Sequence, residues 1–355
     1  MKTKLMIGLC GLAAFPLAWS AVPPTPTSRQ IVLASSGGAY DKIVREYWLA
    51  PFEKVTGIKV TVVPTGVAHE RRAHVQAMIA SGNVTWDIFI EGDMDTEASS
   101  HTGRVENIDD FCAQFQDRAD LLPGTCKASG ILFARGATLI TYNKEHFPNG
   151  GPTNWKEFWD TAAFPGIRTM PAQIDAWRQL TASLLADGVS VKNLYPMDVD
   201  RAFNKLDELR PNVGLWWTTG DQTTQGFRNG EYDAGFMWLT RAIALKNEGQ
   251  PIAWSYDGAL QIGDRFAVVK GAPHKVEALE LLKFYLDSPE IQGKICDALA
   301  CTPPSRNALQ YMSADMRANM PSGEQISSKM VNPDAEWINR NKAMLIDRWN
   351  AWIQN

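Results

Sequence analysis

Apolar runs alternate with amphipathic stretches along the first part of the chain. The runs have the length of buried strands, and the stretches between them repeat apolar residues at helical spacing. Gly57 and Gly82 follow the two amphipathic stretches and are expected to end helices. The predicted strands are residues 31–34, 58–63 and 86–90, and the predicted helices are residues 39–55 and 68–80. Because strands that alternate with helices usually pair in parallel, the pattern predicts an α/β fold with a mainly parallel sheet.

The same alternation continues to the C-terminus. It predicts strands at 130–142, 167–170, 232–238 and 266–269, and helices at 155–160, 174–186, 199–209, 241–247, 275–286, 334–341 and 343–353. The chain has 355 residues, which exceeds the usual size of a single hydrophobic core. We therefore expect two lobes, with the first crossing between them in the strand at 130–142.

The N-terminus has the pattern of a cleaved signal peptide at residues 1–20. Lys2 and Lys4 precede an apolar run at residues 5–17, and small residues stand at Ala18 and Ser20. The run is shorter than the roughly 20 residues that span a bilayer. We therefore expect export and cleavage after Ser20.

Four of the five cysteines remain after this cleavage, namely Cys112, Cys126, Cys296 and Cys301. An even number of cysteines in an oxidising compartment favours disulfides. Three pairings are open, and we expect Cys112–Cys126 and Cys296–Cys301 because these close the shortest loops. The alternative is that one pair stays reduced and buried. Zinc is not expected, because neither pair has Cys-x-x-Cys spacing.

Composition and motifs argue against nucleic-acid binding and catalysis. The net charge of −4 becomes more negative without the signal peptide, whereas phosphate contacts need a basic surface. His69 and His74 stand five residues apart, not the four that a zinc-protease helix requires, so their helix is interpreted as a solvated charged face. No cofactor or metal is expected, and a secreted enzyme is the remote alternative to a binding protein.

Two segments have the residues of a ligand site. Ser36 and Gly38 lie in a turn between a strand and a helix, where free backbone N–H groups favour an anion or carboxylate. Glu91 and Asp93 follow the third predicted strand, and ligands of open α/β sheets bind at the carboxyl ends of strands. These acids are candidates for facing a bound cation, and a solvated loop is the alternative.

Several segments, in this order along the chain, resemble periplasmic binding proteins of the spermidine/putrescine type. They are 50–60 (APFEKVTGIKV), 86–89 (WDIF), 142–143 (YN), 154–160 (NWKEFWD), 164–166 (FPG), 229–232 (NGEY) and 348–349 (RW). The resemblance implies a type II periplasmic binding protein with two α/β lobes and a ligand cleft between them. Lobe 1 would contain residues 21–134 and 262–312, and lobe 2 would contain residues 135–261 and 313–355.

The resemblance also implies a partner and a location. Such a protein is expected to be a periplasmic monomer that captures a small molecule, closes around it by a hinge motion and docks on an inner-membrane ABC permease. Aromatic and acidic side chains hold the amines in this family. The positions that match them here are Tyr40, Trp238, Asp175 and Asp264.

The chain departs from the polyamine pattern at positions that matter for the ligand's charge. Ile262 stands where the family carries Trp, the turn at residues 35–38 supplies no aromatic ring, and Arg178 stands where the family has an acid. A guanidinium there would repel one ammonium group of a diamine. Two ligand classes therefore remain open: a polyamine-like amine, and a zwitterionic or anionic organic acid bound partly through Arg178. A structural salt bridge with Asp175 is the alternative role for Arg178.

Overall fold

The computed structural model describes residues 29–65, 68–173, 176–320, 326 and 328–354. The predicted signal peptide lies outside these residues. The strands are β1 Gln30–Ser35, β2 Lys59–Pro64, β3 Ile88–Gly92, β4 Cys126–Lys127, β5 Gly130–Asn143, β6 Arg168–Pro171, β7 Val213–Trp217, β8 Ala234–Trp238 and β9 Ile252–Val268.

Helices surround these strands. They are α1 Gly38–Val44, α2 Ala50–Thr56, α3 Ala68–Ser81, α4 Asp93–His101, α5 Asp109–Cys112, α6 Trp155–Trp159, α7 Trp177–Ala186, α8 Val199–Leu209, α9 Gly220–Arg228, α10 Leu239–Asn247, α11 Lys275–Leu286, α12 Pro289–Leu299, α13 Ala314–Ala318 and α14 Ala335–Ile353. A π-helical turn at Arg45–Leu49 joins α1 to α2, so residues 38–56 are helical without interruption. Within the described residues, no helix is both long and apolar enough to cross a membrane.

The described strands form one sheet in the order β2-β1-β3-β9-β5-β8-β6-β7, with β4 at the side of β5. The outer strands pair in parallel at both ends of this order, as the alternation of strands and helices predicts. The two long central strands, β5 and β9, pair antiparallel with each other and with their neighbours. These central strands connect the two ends of the sheet, so the chain crosses between the lobes along them.

The two largest clusters of buried side chains lie on opposite ends of the sheet. The first cluster contains Trp48, Phe133 and Tyr285, with the Trp48 ring 4.8 Å from that of Tyr285. The second contains Trp155 and Phe236, whose ring centroids are 4.6 Å apart. Burial of large aromatic side chains is the main source of stability in such clusters. Each lobe of this α/β fold therefore has its own core, whereas the lobe boundaries predicted from the sequence stay a prediction.

Both expected disulfides are present. Cys112 and Cys126 have Cα atoms 5.4 Å apart and tie α5 to β4. Cys296 and Cys301 have Cα atoms 4.5 Å apart and close the end of α12. The local pairing expected from the sequence is confirmed.

Several elements differ from those the sequence predicts. The tail contains one helix, α14, where two were expected, because Lys342 at the supposed break lies on the helix and forms an ion pair. The strand expected at 266–269 is the end of β9, which begins at Ile252. Helix α4 stands where a solvated loop was the alternative, since Asp93 and Asp95 lie in its first turn, where acids favour a helix.

Candidate functional site

A cavity of about 250 Å³ lies where the two lobes meet. It is bordered by α4, by β9 and by the first residues of α7 and of α14. The lining residues that matter below are Asp93, Asp95, Glu97, Arg135, Trp177 and Arg178. Ligand pockets for drug-sized molecules usually measure about 300–1,000 Å³, so this cavity suits a small solute.

Asp264 lies on β9, where its backbone pairs with Gly92 and Ala134. The Asp264 side chain is exposed to solvent and lies next to the cavity-lining Gly263, and the protein atoms packed around it partly desolvate its carboxylate. This desolvation raises the pKa of Asp264 to about 6, although Arg71 opposes the shift. Asp264 forms no ion pair with any described residue. It is therefore a carboxylate whose charge the protein itself does not fully compensate.

Tyr40 lies close enough to Asp264 for their charges to interact. Burial is the main reason that the pKa of Tyr40 lies well above its ordinary value, and Asp264 adds to that shift. The ring packs edge-on against Phe133 at 5.5 Å, and the buried hydroxyl has no hydrogen-bond partner among the described residues. The structure thus brings together two of the residues that the resemblance selected.

Arg71 completes this group, and the sequence analysis missed it. Its side chain is 4% exposed, not part of a solvated helix face as expected. The guanidinium donates to the Ile90 carbonyl at 2.7 Å and to Thr65 Oγ1 at 2.9 Å. Burial lowers the pKa of Arg71, while Asp264 opposes that shift. No sequence signal distinguishes this arginine from the charged residues beside it.

Asp95 on α4 is in a different electrostatic state. Its carboxylate lies 2.6 Å from Lys342 Nζ and 3.0 Å from Arg72 Nη1. Burial alone would raise the pKa of Asp95, but these two cations outweigh it and the pKa is lowered. Nearby, Asn339 Nδ2 donates to the Met94 carbonyl at 2.8 Å. Lys342 and Asn339 belong to α14, so these contacts join α4 to the C-terminal helix.

Asp93 lines the cavity as expected of a site residue, but its charge is compensated. Arg265, which is 1% exposed, donates through Nε to Asp93 Oδ1. The other Arg265 nitrogens donate to backbone carbonyls, at 2.6 Å for Gly124 and 3.0 Å for Gly130. All three nitrogens of this guanidinium thus donate to groups of the protein. Asp93 is therefore less able to attract a cationic ligand than its position in the cavity suggests.

Glu91 does not reach the cavity surface. Its carboxylate is 1% exposed, accepts from Ser99 Oγ at 2.6 Å and lies 3.4 Å from Arg72 Nη1. Burial raises its pKa, and the Ser99 hydrogen bond opposes this. In this arrangement Glu91 anchors α3 and α4 to β3.

The turn before α1 has fewer free donors than expected. Ser36 and Gly38 are exposed, but the intervening Gly37 N–H donates to Asp41 Oδ1 at 3.1 Å. The Ser35 hydroxyl donates to the same oxygen at 2.5 Å. Gly37 and Gly38 have φ values of 87° and 65°, which favour glycine. An acid of the chain thus occupies the place where the sequence suggested an anion.

Of the remaining predicted site residues, Trp238 does not line the cavity and Arg178 does. Trp238, at the end of β8, packs edge-on against Trp217 at 5.1 Å and is not part of the cavity lining. Arg178 lines the cavity, and its guanidinium carbon lies 4.3 Å from the Trp177 ring centroid. The charge of Arg178 reaches both Asp95 and Asp264. Asp175 lies outside the described residues.

Residues 48–321 match the model of the bacterial extracellular solute-binding protein family. This chain belongs to that family. It is a solute-binding component of an ABC transporter and not an enzyme, and solute-binding proteins of this kind deliver small molecules to ABC permeases.

Three related proteins illustrate the range of the family. The γ-aminobutyric acid (GABA)-binding protein of Pseudomonas aeruginosa is 29% identical over 347 residues, covering 96% of this chain and 95% of that protein. The spermidine/putrescine-binding periplasmic protein of Escherichia coli is 23% identical, covering 82% and 80%. The solved structure of PBP AttC from Agrobacterium tumefaciens C58, in an open unliganded conformation, is 48% identical. Its TM-score is 0.78, and the match covers 92% of this chain and 99% of that one.

Proposed function

We propose that this solute-binding protein works in the periplasm and captures a small organic solute that carries both an amine and a carboxylate. The observation that carries the proposal is the pairing of opposite charges at one cleft. Asp264, beside the cavity-lining Gly263, offers a partly desolvated carboxylate without an ion pair among the described residues, and Arg178 on the cavity wall offers a guanidinium within electrostatic reach of it.

The ammonium group of the solute would bind at Asp264. An ammonium there replaces the hydration that the carboxylate has lost, and a charge-assisted hydrogen bond is about twice as strong as a neutral one. The phenol of Tyr40 supplies a further polar atom beside the carboxylate, and Phe133 holds its ring in place. This part of the site serves a GABA-like amino acid and a polyamine equally well.

The carboxylate of the solute would bind at Arg178. A guanidinium presents two parallel N–H groups that match the two oxygens of a carboxylate. The Trp177 ring under Arg178 restricts the movement of the guanidinium. A second ammonium at this place would face a positive charge. The GABA-binding relative, which is more similar in sequence than the spermidine/putrescine-binding one, supports the zwitterionic class.

Closure of the two lobes would bring these groups onto the solute. The lobe division expected from the sequence places Asp264 in lobe 1 and Arg178 in lobe 2. A solute that binds both charges therefore favours the closed form, because the open form can satisfy only one end. The closed form would then dock on the inner-membrane permease.

Calorimetric titration of the mature protein with GABA and with putrescine tests the proposal. We expect GABA to bind and putrescine to bind at least tenfold more weakly, because the second ammonium faces Arg178. Arg178→Gln should weaken GABA binding and narrow the difference between the two solutes. Tight binding of putrescine that Arg178→Gln leaves unchanged would assign the protein to the polyamine class instead.

A further inference from the structure

The acids that line the cavity are already matched by cations of the protein. Each of the three has a basic partner within ion-pair distance. The pairs are Asp93 with Arg265, Asp95 with Lys342, and Glu97 with Lys127. The lining acids are thus compensated before any solute binds.

Arg135 lines the same cavity and has no such partner. It forms no ion pair with a described residue, and its Nη2 donates to the Pro123 carbonyl at 2.7 Å. Its Nε is buried and lacks a hydrogen-bond partner among the described residues. A buried N–H without an acceptor is unfavourable, so the protein leaves the Arg135 guanidinium only partly satisfied, and an anion in the cavity would stabilise its charge.

Arg265, which lies beside Arg135, is in a different condition. The two arginines lie on the paired strands β5 and β9, where Arg135 stands opposite Gly263. Arg265 is 1% exposed, and each of its three side-chain nitrogens donates to Asp93 or to a backbone carbonyl, so it is not available to a ligand. Arg135 lines the cavity and donates through its side chain to Pro123 alone among the described residues, and burial lowers its pKa although Asp93 opposes that shift.

The backbone at Arg135 is held firmly in place. Its N–H donates to the Thr302 carbonyl at 2.9 Å, and the Thr302 N–H donates back at 2.8 Å. Thr302 follows directly after the Cys296–Cys301 disulfide, which restrains that segment. A side chain on such a fixed backbone can hold a ligand group in one defined position.

We propose that Arg135 binds a second anionic group of the solute, so that the preferred class is an amino compound with two acidic groups. The inference rests on the proposed function and refines it. Asp264 binds the ammonium, Arg178 binds one carboxylate, and Arg135 binds the other from the β5 side of the cavity.

Calorimetric titrations of the mature protein and of Arg135→Gln with four probes test this assignment. L-Glutamate has an amine and two carboxylates, GABA has one of each, glutarate lacks the amine, and putrescine lacks the acids. In the unaltered protein we expect glutamate to bind about tenfold more tightly than GABA, in line with one added charge-assisted hydrogen bond. In Arg135→Gln the ratio of the two affinities should fall to about twofold or less.

The ratio of the glutamate and GABA affinities is the readout, since a merely structural loss would weaken both probes by the same factor and leave that ratio unchanged. Arg135→Lys, which keeps the charge but not the fork of donors, should retain part of the preference for glutamate. Equal binding of GABA and glutamate to the unaltered protein overturns the role of Arg135 and leaves the proposed function standing. Binding of putrescine alone, or of none of the four probes, overturns both.

Discussion

Two aspartates at the cleft, Asp95 and Asp264, show how differently the same side chain can be used. Asp95 has Lys342 and Arg72 within 3.0 Å, and its pKa is lowered in spite of burial. Asp264 has no ion pair among the described residues, and desolvation raises its pKa to about 6. The first carboxylate stabilises contacts within the protein, whereas the second is available for a ligand.

This difference has a physical origin in where the cations lie. Helix α14 brings Lys342 and Asn339 to α4, so the Asp95 ion pair stabilises the contact between these two helices. At Asp264 the nearby Arg71 is engaged with Ile90 and Thr65, and its charge only partly offsets the desolvation. A destabilised charge in a cleft is a common mark of a functional position.

The largest expected effect comes from Asp264→Asn. This change removes the negative charge with little change in shape, so binding of GABA should weaken by about thirtyfold or more, or ~2 kcal/mol. Calorimetric titration measures the loss. Asp95→Asn is the matched control, because it removes an acid that we do not assign to the ammonium. An equal loss of affinity in both variants would remove the distinction between the two aspartates.

A pH series sharpens the same comparison. The amine must meet an ionised Asp264, so the affinity of the unaltered protein should be constant above about pH 6 and fall as the pH drops below it. The fall should approach tenfold for each pH unit, as for a single titrating group. Asp264→Asn should lack this dependence, and a flat profile in the unaltered protein would contradict the assignment.

Asp264→Asn should weaken solute binding, but it should raise the stability of the ligand-free protein. The raised pKa means that the folded protein holds a proton between pH 3.8 and about 6 that the unfolded chain has lost. Ionised Asp264 therefore lowers the stability of the fold as the pH rises through this window, and the cost persists at neutral pH. We expect Asp264→Asn to raise the melting temperature of the ligand-free protein at pH 7.5. An unchanged or lower melting temperature would show that the carboxylate is compensated.

Lys342→Ala should have a moderate effect on stability. It removes one partner of Asp95, in a pair whose side chains are 29% and 24% exposed, so we expect a loss of about 1 kcal/mol. Urea unfolding of Lys342→Ala, Asp95→Ala and the double variant measures the coupling between the two residues. Additive losses would show that the ion pair contributes nothing of its own.

The smallest effect is expected from Glu97→Gln. Glu97 lines the cavity like Asp95, but its pair with Lys127 is more exposed, at 31% and 42%. Such pairs contribute less than about 0.5 kcal/mol, and GABA affinity should change by less than about twofold. A larger loss of affinity would mean that the ligand reaches this end of α4.

Sequence reasoning succeeded where the signal is local. The strands and helices up to residue 90 follow from the spacing of apolar residues, and both disulfides follow from the short loops that they close. It did not predict α4, and it divided α14 into two helices, at residues 334–341 and 343–353. In both places the deciding interactions join residues that lie far apart along the chain.

The sequence by itself determined the α/β class, the cysteine pairing and the kinship with solute-binding proteins, because these depend on periodicity, short loops and ordered motifs. Only the tertiary structure decided which charged side chains are paired within the protein and which are available to a ligand in the cleft. Arg71 and Arg135 look like ordinary surface arginines in the sequence, and Glu91 looks like a ligand acid. Their roles depend on desolvation and on partners from distant segments, and neither property is encoded in any local pattern.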